Sequence, residues 1–349
     1  MKTINIKSIL IITFLITSFF NLDVTMAQDY RNARAYISDF GKNELFVKES
    51  LMEYSTSIID ASPDDRIQNT LERIYLKLEN INQILYKNDK GIYGDTDLRE
   101  AFIKLNNKTI ILLRNKSLKL NDYKIQSALD YSDIFKNFAY KETEITRYYL
   151  DILSYESSKR QFGLKYNIII RAFNKMNVFE YNAYQNLIFY KLNVFDDKLI
   201  MLLKEKDINK VNECMDHMVS IGEESYQKTE EYKDDFTDTS LNDANIEFIR
   251  FMLKQKEDIL PSYYEFVKVA DEFHKYKSKF VEDNDIISVD EYNIEVRKYN
   301  KAKNLFYDTL YDIQIRKRAL LDAWYKTNSS FLKNNIEFEN LYEKFSNLD

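Results

Sequence analysis

Histidine, cysteine, glycine and proline are all scarce in this chain. Its 349 residues include 2 His, 1 Cys, 5 Gly and 2 Pro. A single cysteine cannot form an internal disulfide, and so few histidine and cysteine side chains leave little from which to build a catalytic base and an activated nucleophile. The sequence also lacks the G-x-S-x-G, H-E-x-x-H and phosphate-cradling glycine motifs. We therefore expect a protein that is not an enzyme and that uses no cofactor or metal.

The shortage of glycine and proline also restricts the fold class. A β-sandwich or barrel needs a reverse turn about every 8–12 residues, and reverse turns depend on these two residue types. Long helices need far fewer turns. The predicted fold class is all-α, with long antiparallel helices packed as helical bundles.

The first 27 residues are typical of a secretory signal peptide. Lys2 and Lys7 form a positive segment, Ile9–Phe20 is almost entirely apolar, and the small residues Thr25 and Ala27 stand where a cleavage site is expected. A retained membrane anchor is the alternative, but the apolar run is shorter than the roughly 20 residues that a spanning helix needs. We expect export to the periplasm, the outer surface or the medium, with no transmembrane segment in the mature chain.

The clearest helical pattern covers Asp65–Lys87. Ser62 and Pro63 provide an N-cap and a first helical residue, and the helix is expected to end near Gly91. Six apolar side chains in this stretch follow at spacings of four and three, which places them on one seam. They are Ile67, Leu71, Ile74, Leu78, Ile81 and Leu85.

Similar spacing predicts helices over most of the remaining chain. One long helix is expected to carry Ile169, Leu187 and Met201 on a single face. Pro261 is expected to kink or break a later helix, because proline lacks the amide hydrogen and clashes with the preceding turn. The longest series runs from Val289 to Trp324.

Gly163 is the predicted joint between two helical bundles, which would comprise residues 28–163 and 164–349, and a continuous helix could run through it. The strings Asp95–Ala101 and Asp238–Ala244 share the pattern D-T-x-L-x-x-A, each after a polar loop, which favours an internal duplication. The alternative is that this pattern is simply a good helix start, with an N-cap, acidic residues and a first core leucine.

Asp89–Glu100 is the nearest approach to a metal-binding loop. The positions that match a calcium-binding loop are Asp89, Gly94, Asp95, Asp97 and Glu100. The third and fifth positions of that loop are Gly91 and Tyr93, which offer no side-chain ligand. The corresponding loop Asp234–Asn245 lacks the glycine and the terminal glutamate. An interhelical turn before a capped helix explains the same residues, and we favour that interpretation.

Cys214 and His217 are the other candidate ligands, since a helix would place them on one face with Glu213 and Asp216 nearby. A zinc site normally needs three or four protein ligands, and His274 is the only other histidine. We expect Cys214 to be a packed side chain and His217 to lie at the surface or its boundary.

The chain is rich in aromatic residues, with 27 Tyr and 23 Phe. Three tyrosine pairs could line a ligand groove, although we favour aromatic side chains as core filling. The pairs are Tyr148/Tyr149, Tyr263/Tyr264 and Tyr181/Tyr184. The net charge of −6 gives no reason to expect nucleic acid as a partner. The acidic run Glu223–Asp243 and the basic patch Arg316–Arg318 are interpreted as solvated faces, with docking to a partner as the alternative.

The layout resembles an uncharacterised family of exported, all-helical surface proteins of Gram-negative bacteria. The resemblance lies in a signal peptide, helix pairs and the junction Gln161-Phe-Gly-Leu-Lys-Tyr-Asn-Ile168, which follows a charged, Tyr-rich helix. It covers most of the mature chain. It implies an envelope or surface location and no known activity, and it assigns no functional residues.

The favoured function is an exported, non-catalytic envelope or surface protein that acts as a helical scaffold or protein-binding module. Its helix faces also allow a homo-oligomer. The alternative is a binder of a small apolar or carbohydrate ligand in an aromatic-lined groove, and a carboxylate-based envelope hydrolase comes third. A scaffold should expose an apolar patch, a ligand binder one deep pocket, and an enzyme convergent acids with perturbed pKa values.

Overall fold

A computed structural model describes residues 32–59, 64–115, 122–170, 176–282 and 288–345. These residues form helices and no strand, so the predicted all-α fold class is confirmed. The helices are α1 (Ala33–Ile59), α2 (Asp64–Asn88), α3 (Asp97–Arg114), α4 (Tyr123–Ser127), α5 (Tyr131–Lys165), α6 (Val178–Glu205), α7 (Ile208–Tyr232), α8 (Ser240–Glu282) and α9 (Val289–Phe345).

The α2 seam packs as its spacing predicts. All six of its isoleucine and leucine side chains are buried, because the 4-3 pattern turns them toward neighbouring helices. The short connection between α2 and α3 makes this pair antiparallel. Tyr75 Oη, in the middle of α2, accordingly donates to the carbonyl oxygen of Leu113 at the carboxyl end of α3, at 2.8 Å. Ser62 and Pro63, the predicted start of this helix, lie outside the described residues.

Helix α6 is the centre of the second part of the chain. It contacts α4, α5, α7, α8 and α9, and buried side chains occur all around its circumference. The predicted face is only partly correct. Leu187 is buried, but Met201 is 41% exposed, and Ile169 lies before the helix and is 80% exposed. The helix begins later than predicted because the Asn177 side chain caps it, accepting from the amide of Phe179 at 2.8 Å.

The sequence predicts a kink or a break at Pro261, and the break is wrong. Helix α8 continues through this residue, since Ile259, Leu260 and Tyr263 on either side are buried in the bundle. This packing maintains the helix although the proline supplies no amide hydrogen.

Gly163 lies inside α5, two residues before its end at Lys165. A continuous helix through this junction is therefore wrong. The chain folds back instead, and the amide of Ile168 donates to the Gly163 carbonyl at 2.8 Å. A Cβ atom on residue 163 would lie 2.7 Å from the backbone oxygen of Ile168, so this close approach requires glycine.

The division into two bundles at this junction is not confirmed. Helix α4 packs on α6, and α9 contacts α1, so contacts cross the predicted boundary. The two similar strings Asp95–Ala101 and Asp238–Ala244 do share one local feature. Asp95 accepts from the amide of Asp97 at 3.1 Å, and Asp238 accepts from the amide of Ser240 at 3.0 Å. Duplication stays a prediction, because capping alone explains this similarity.

Helices α8 and α9 form a long antiparallel hairpin with an aromatic seam. Its ring pairs recur every seven residues on both helices, which is the heptad geometry of a coiled coil. They are Phe266/Phe306, Phe273/Tyr299 and Phe280/Tyr292, stacked with centroids 5.3, 4.9 and 4.4 Å apart. We call residues 266–282 of α8 and 289–306 of α9 the arm. From 271 to 281 and from 288 to 301, no described side chain is buried. The arm therefore extends about 18 Å past its last buried layer.

Candidate functional site

The loop Asp89–Glu100, which comes nearest to a metal-binding loop in sequence, is a tight turn that is held by its own chain. Asp89 is buried and accepts from Tyr36 Oη at 3.1 Å and from the Gly91 amide at 2.7 Å. Burial raises the pKa of this carboxyl above its ordinary value, and the two hydrogen bonds oppose that shift only partly. Gly91 and Gly94 have φ angles of 76° and 85°, which glycine adopts without strain.

Asp95 fastens the same turn to the end of α5. Its carboxylate accepts from Lys165 Nζ at 2.7 Å and from Tyr166 Oη at 2.9 Å. The neighbouring Glu100 accepts from Arg99. Across the described part of the chain, no group of three or more His, Cys, Asp or Glu side chains is placed to hold a metal ion. Asp89 and Asp95 thus hold the turn through hydrogen bonds within the chain.

Cys214 and His217 lie on α7 and face aromatic side chains. Cys214 is buried, and its thiol donates to the Phe195 carbonyl at 3.8 Å. Burial raises the pKa of the Cys214 thiol to about 12, so the sulfur is protonated at neutral pH. His217 is half-buried, with its ring 4.4 Å from that of Tyr131 and 5.3 Å from that of Phe135. These contacts are those of packed side chains, as the sequence predicts for Cys214.

The tyrosine pairs pack in the core. Five of the six candidate tyrosines are buried, and only Tyr264 is half-buried. A surface depression between α5, α6 and α7 has an empty volume of about 270 Å³, which includes space open to solvent. Ligand pockets typically enclose about 300–1,000 Å³. Lys191 lies in this depression and donates to Glu142 at 3.3 Å and to Glu224 at 2.8 Å. These charged side chains of the depression therefore pair with each other.

One ion pair joins the basic patch to the core. Lys317, in the middle of Arg316–Arg318, pairs with Asp196 of α6, whose side chain is only 3% exposed. Asp196 also accepts from Gln255 Nε2 at 3.0 Å. The interpretation of the patch as a solvated face is therefore wrong for Lys317. The two charges lie 121 residues apart in sequence, so no local pattern indicates their contact.

A second buried ion pair fixes α1 to α5. Glu44 accepts from Lys159 Nζ at 2.8 Å and from Tyr155 Oη. Burial raises the pKa of the Glu44 carboxyl, but the adjacent Lys159 charge and the hydrogen bonds from Lys159 and Tyr155 outweigh it, so the pKa is lowered overall. In the sequence, Glu44 is only a polar interruption of the apolar series that includes Phe40 and Val47.

Buried amide side chains link α6, α8 and α9. Trp324 Nε1 donates to Asn245 Oδ1 at 2.7 Å, and Asn245 Nδ2 donates to the Gln185 carbonyl at 3.0 Å. The Trp324 ring stacks on Phe189 with centroids 3.6 Å apart. Buried polar groups need partners of fixed geometry, so this network favours one register of the three helices.

The remaining surface feature is apolar and lies along the arm and its base, by which we mean residues 307–315 of α9. Of the nineteen large apolar side chains that are exposed among the described residues, seven fall between 281 and 315. They are Val281, Val289, Ile294, Leu305, Tyr307, Tyr311 and Ile315. Val281 is 70% exposed and Tyr311 is 66% exposed. Such a concentration on one projecting element is typical of an interaction surface.

Comparisons with protein-family models, with curated proteins and with solved structures each found no match. Within the described ranges, none of the helices combines the length and the apolar character needed to cross a membrane.

Proposed function

We propose that this protein is an exported, non-catalytic scaffold or protein-binding module that presents the α8–α9 arm to a protein partner at the cell envelope or surface. The observation that carries the proposal is the group of seven exposed apolar side chains on the arm and its base. The signal-peptide pattern of residues 1–27 supports export. Organisation of residues 28–163 and 164–349 as two bundles is part of the same proposal.

Beyond Ala270 and Ala302, no described side chain of the arm is buried, so this part of the arm does little to hold the rest of the fold together. Its aromatic seam is completed between α8 and α9, and the described ring pairs beyond Ala270 and Ala302 join only these two helices. An amphipathic helix whose apolar side chains are exposed can dock on a partner by burying them. Tyr307 and Tyr311 suit this role, because tyrosine provides a large contact area and a polar tip.

Affinity capture from an envelope extract tests the proposal with matched variants. Tyr307→Glu/Tyr311→Glu places two charges on the apolar surface at the base of the arm. Leu76→Glu/Tyr86→Glu makes the same change on α2, where these side chains are 62% and 71% exposed. We expect the parent and the α2 variant to retain the same protein, and the Tyr307/Tyr311 variant to lose it. Equal retention by both variants would contradict a binding role for this surface.

A further inference from the structure

A second 4-3 series runs along α9, on the side roughly opposite the aromatic seam. Its seven members are all exposed. At 3.6 residues per turn this spacing places them on one side of the helix. They are Ile294, Lys298, Lys301, Leu305, Asp308, Asp312 and Ile315. We call this set the outer face of α9.

The order of chemical types along the outer face is symmetric about Leu305. Two basic residues precede this leucine and two acidic residues follow it, and an isoleucine closes the series at each end. Reversing the direction of the helix exchanges the basic half with the acidic half. The outer face is thus complementary to an antiparallel copy of itself.

We propose that two copies of this chain pair antiparallel along the outer face of α9, with the two-fold axis near Leu305. Lys298 of one copy then lies opposite Asp312 of the other, and Lys301 lies opposite Asp308. Leu305 meets its counterpart at the axis. The same patch is used by both copies, so the contact is closed by two-fold symmetry and stops at a dimer.

The charge order selects this direction. A parallel pair in register would place Lys298 beside Lys298 and Asp312 beside Asp312, and like charges across an interface are strongly unfavourable. Lys298 also donates to Glu295 in its own helix at 2.7 Å. That pair is solvent-exposed and contributes little, so it does not hold the lysine away from a second copy. This inference rests on the proposed function, because it takes from it that the arm and its base are the binding surface.

Sedimentation velocity of the purified protein over a concentration series tests the pairing. We expect a monomer–dimer equilibrium that weakens as salt is raised, because screening reduces contacts between exposed charges. Lys298→Glu/Lys301→Glu makes the outer face wholly acidic, and Asp308→Lys/Asp312→Lys makes it wholly basic. Each variant alone should associate at least about tenfold more weakly, and an equimolar mixture of the two should recover the dimer.

Two controls separate this contact from other associations. Lys277→Glu/Lys279→Glu reverses two exposed charges on α8 and should leave the dimer unchanged. Cysteine substitutions report the direction, since the native Cys214 is buried and does not interfere. Leu305→Cys should cross-link to itself. Ile294→Cys should cross-link only when it is mixed with Ile315→Cys.

A monomer at every concentration would overturn the proposed pairing, and so would a dimer that both charge-reversed variants still form. Self-cross-linking of Ile294→Cys would overturn the antiparallel direction. A monomeric parent that still captures a partner through Tyr307 and Tyr311 would overturn self-pairing alone and leave the proposed function supported. If the parent forms a charge-dependent dimer but captures no partner, self-pairing is supported and the proposed binding of another protein is overturned.

Discussion

Lys317→Met should destabilise the fold although Lys317 lies in an apparently surface-exposed basic patch. The substitution removes the cation that faces Asp196, whose side chain is 3% exposed. Asp196 would keep one donor, Gln255 Nε2 at 3.0 Å, but would lose its cationic partner inside the bundle. Breaking a buried pair by removing one partner costs about 3–5 kcal/mol, because an uncompensated charge is left behind.

The expected loss of stability for Lys317→Met lies near the lower limit of the range of about 3–5 kcal/mol. The Lys317 side chain is 14% exposed, so water already screens part of its interaction with Asp196. We expect a decrease of about 3 kcal/mol in the free energy of unfolding. The entropy of unfolding is about 2.1 cal/mol/K per residue, or roughly 0.7 kcal/mol/K for this chain, so Tm should decrease by about 4–5 °C.

Urea unfolding followed by circular dichroism measures this change. Arg318→Met is the matched control, because Arg318 is an exposed neighbour, and its effect should stay within about 0.5 kcal/mol. Asp196→Asn/Lys317→Met should recover most of the lost stability, since the buried Asp196 charge is removed together with its cationic partner. The reasoning is refuted if Lys317→Met unfolds at the same urea concentration as Arg318→Met.

Three further predictions concern other parts of the fold. Gly163→Ala should destabilise by about 1–3 kcal/mol in urea unfolding, because the added Cβ has no room beside a backbone oxygen; an unchanged midpoint would contradict this packing. Because the pKa of Glu44 is lowered by folding, its carboxylate stabilises the fold at every pH above the pKa that it has in the unfolded chain. This contribution disappears as the pH falls through the pKa of the folded state. Unfolding of Glu44→Gln between neutral and acidic pH should show a shallower pH dependence than the parent, and an equal slope would argue against the pair with Lys159. Phe248→Ala, at a buried position, should cost about 3–5 kcal/mol, whereas Phe273→Ala in the arm should cost clearly less by thermal unfolding. Equal losses would mean that the arm is part of the core.

The sequence predicts the elements whose two faces differ. The α2 seam of Ile67 to Leu85 is confirmed, because one side of that helix packs and the other is polar. Helix α6 is the opposite case, since Phe189, Tyr190 and Phe195 are buried on different sides of the helix and leave little periodic contrast. Its position at the centre therefore depends on the other helices, which local spacing does not reveal.

Long-range contacts explain most of the other differences. Pro261 is tolerated because packing on both sides maintains α8, although local chemistry predicts a break. The 4-3 series from Ile294 to Ile315 is readable in the sequence beside the seam of Tyr292, Tyr299 and Phe306. Only the fold shows that the seam is covered by α8 and that the other series is exposed. Candidate binding surfaces therefore could not be predicted from spacing alone.

Small-angle X-ray scattering from the dilute, monomeric protein tests the projecting arm most directly. At 1.5 Å per residue α9 alone is about 85 Å long, so the distance distribution should extend to at least about 85 Å. The radius of gyration should clearly exceed the roughly 20 Å of a compact domain of this size. A radius of gyration near 20 Å with a largest distance of about 60 Å would contradict the account. It would mean that α8 and α9 fold back on the bundle and that their apolar side chains are not free to bind.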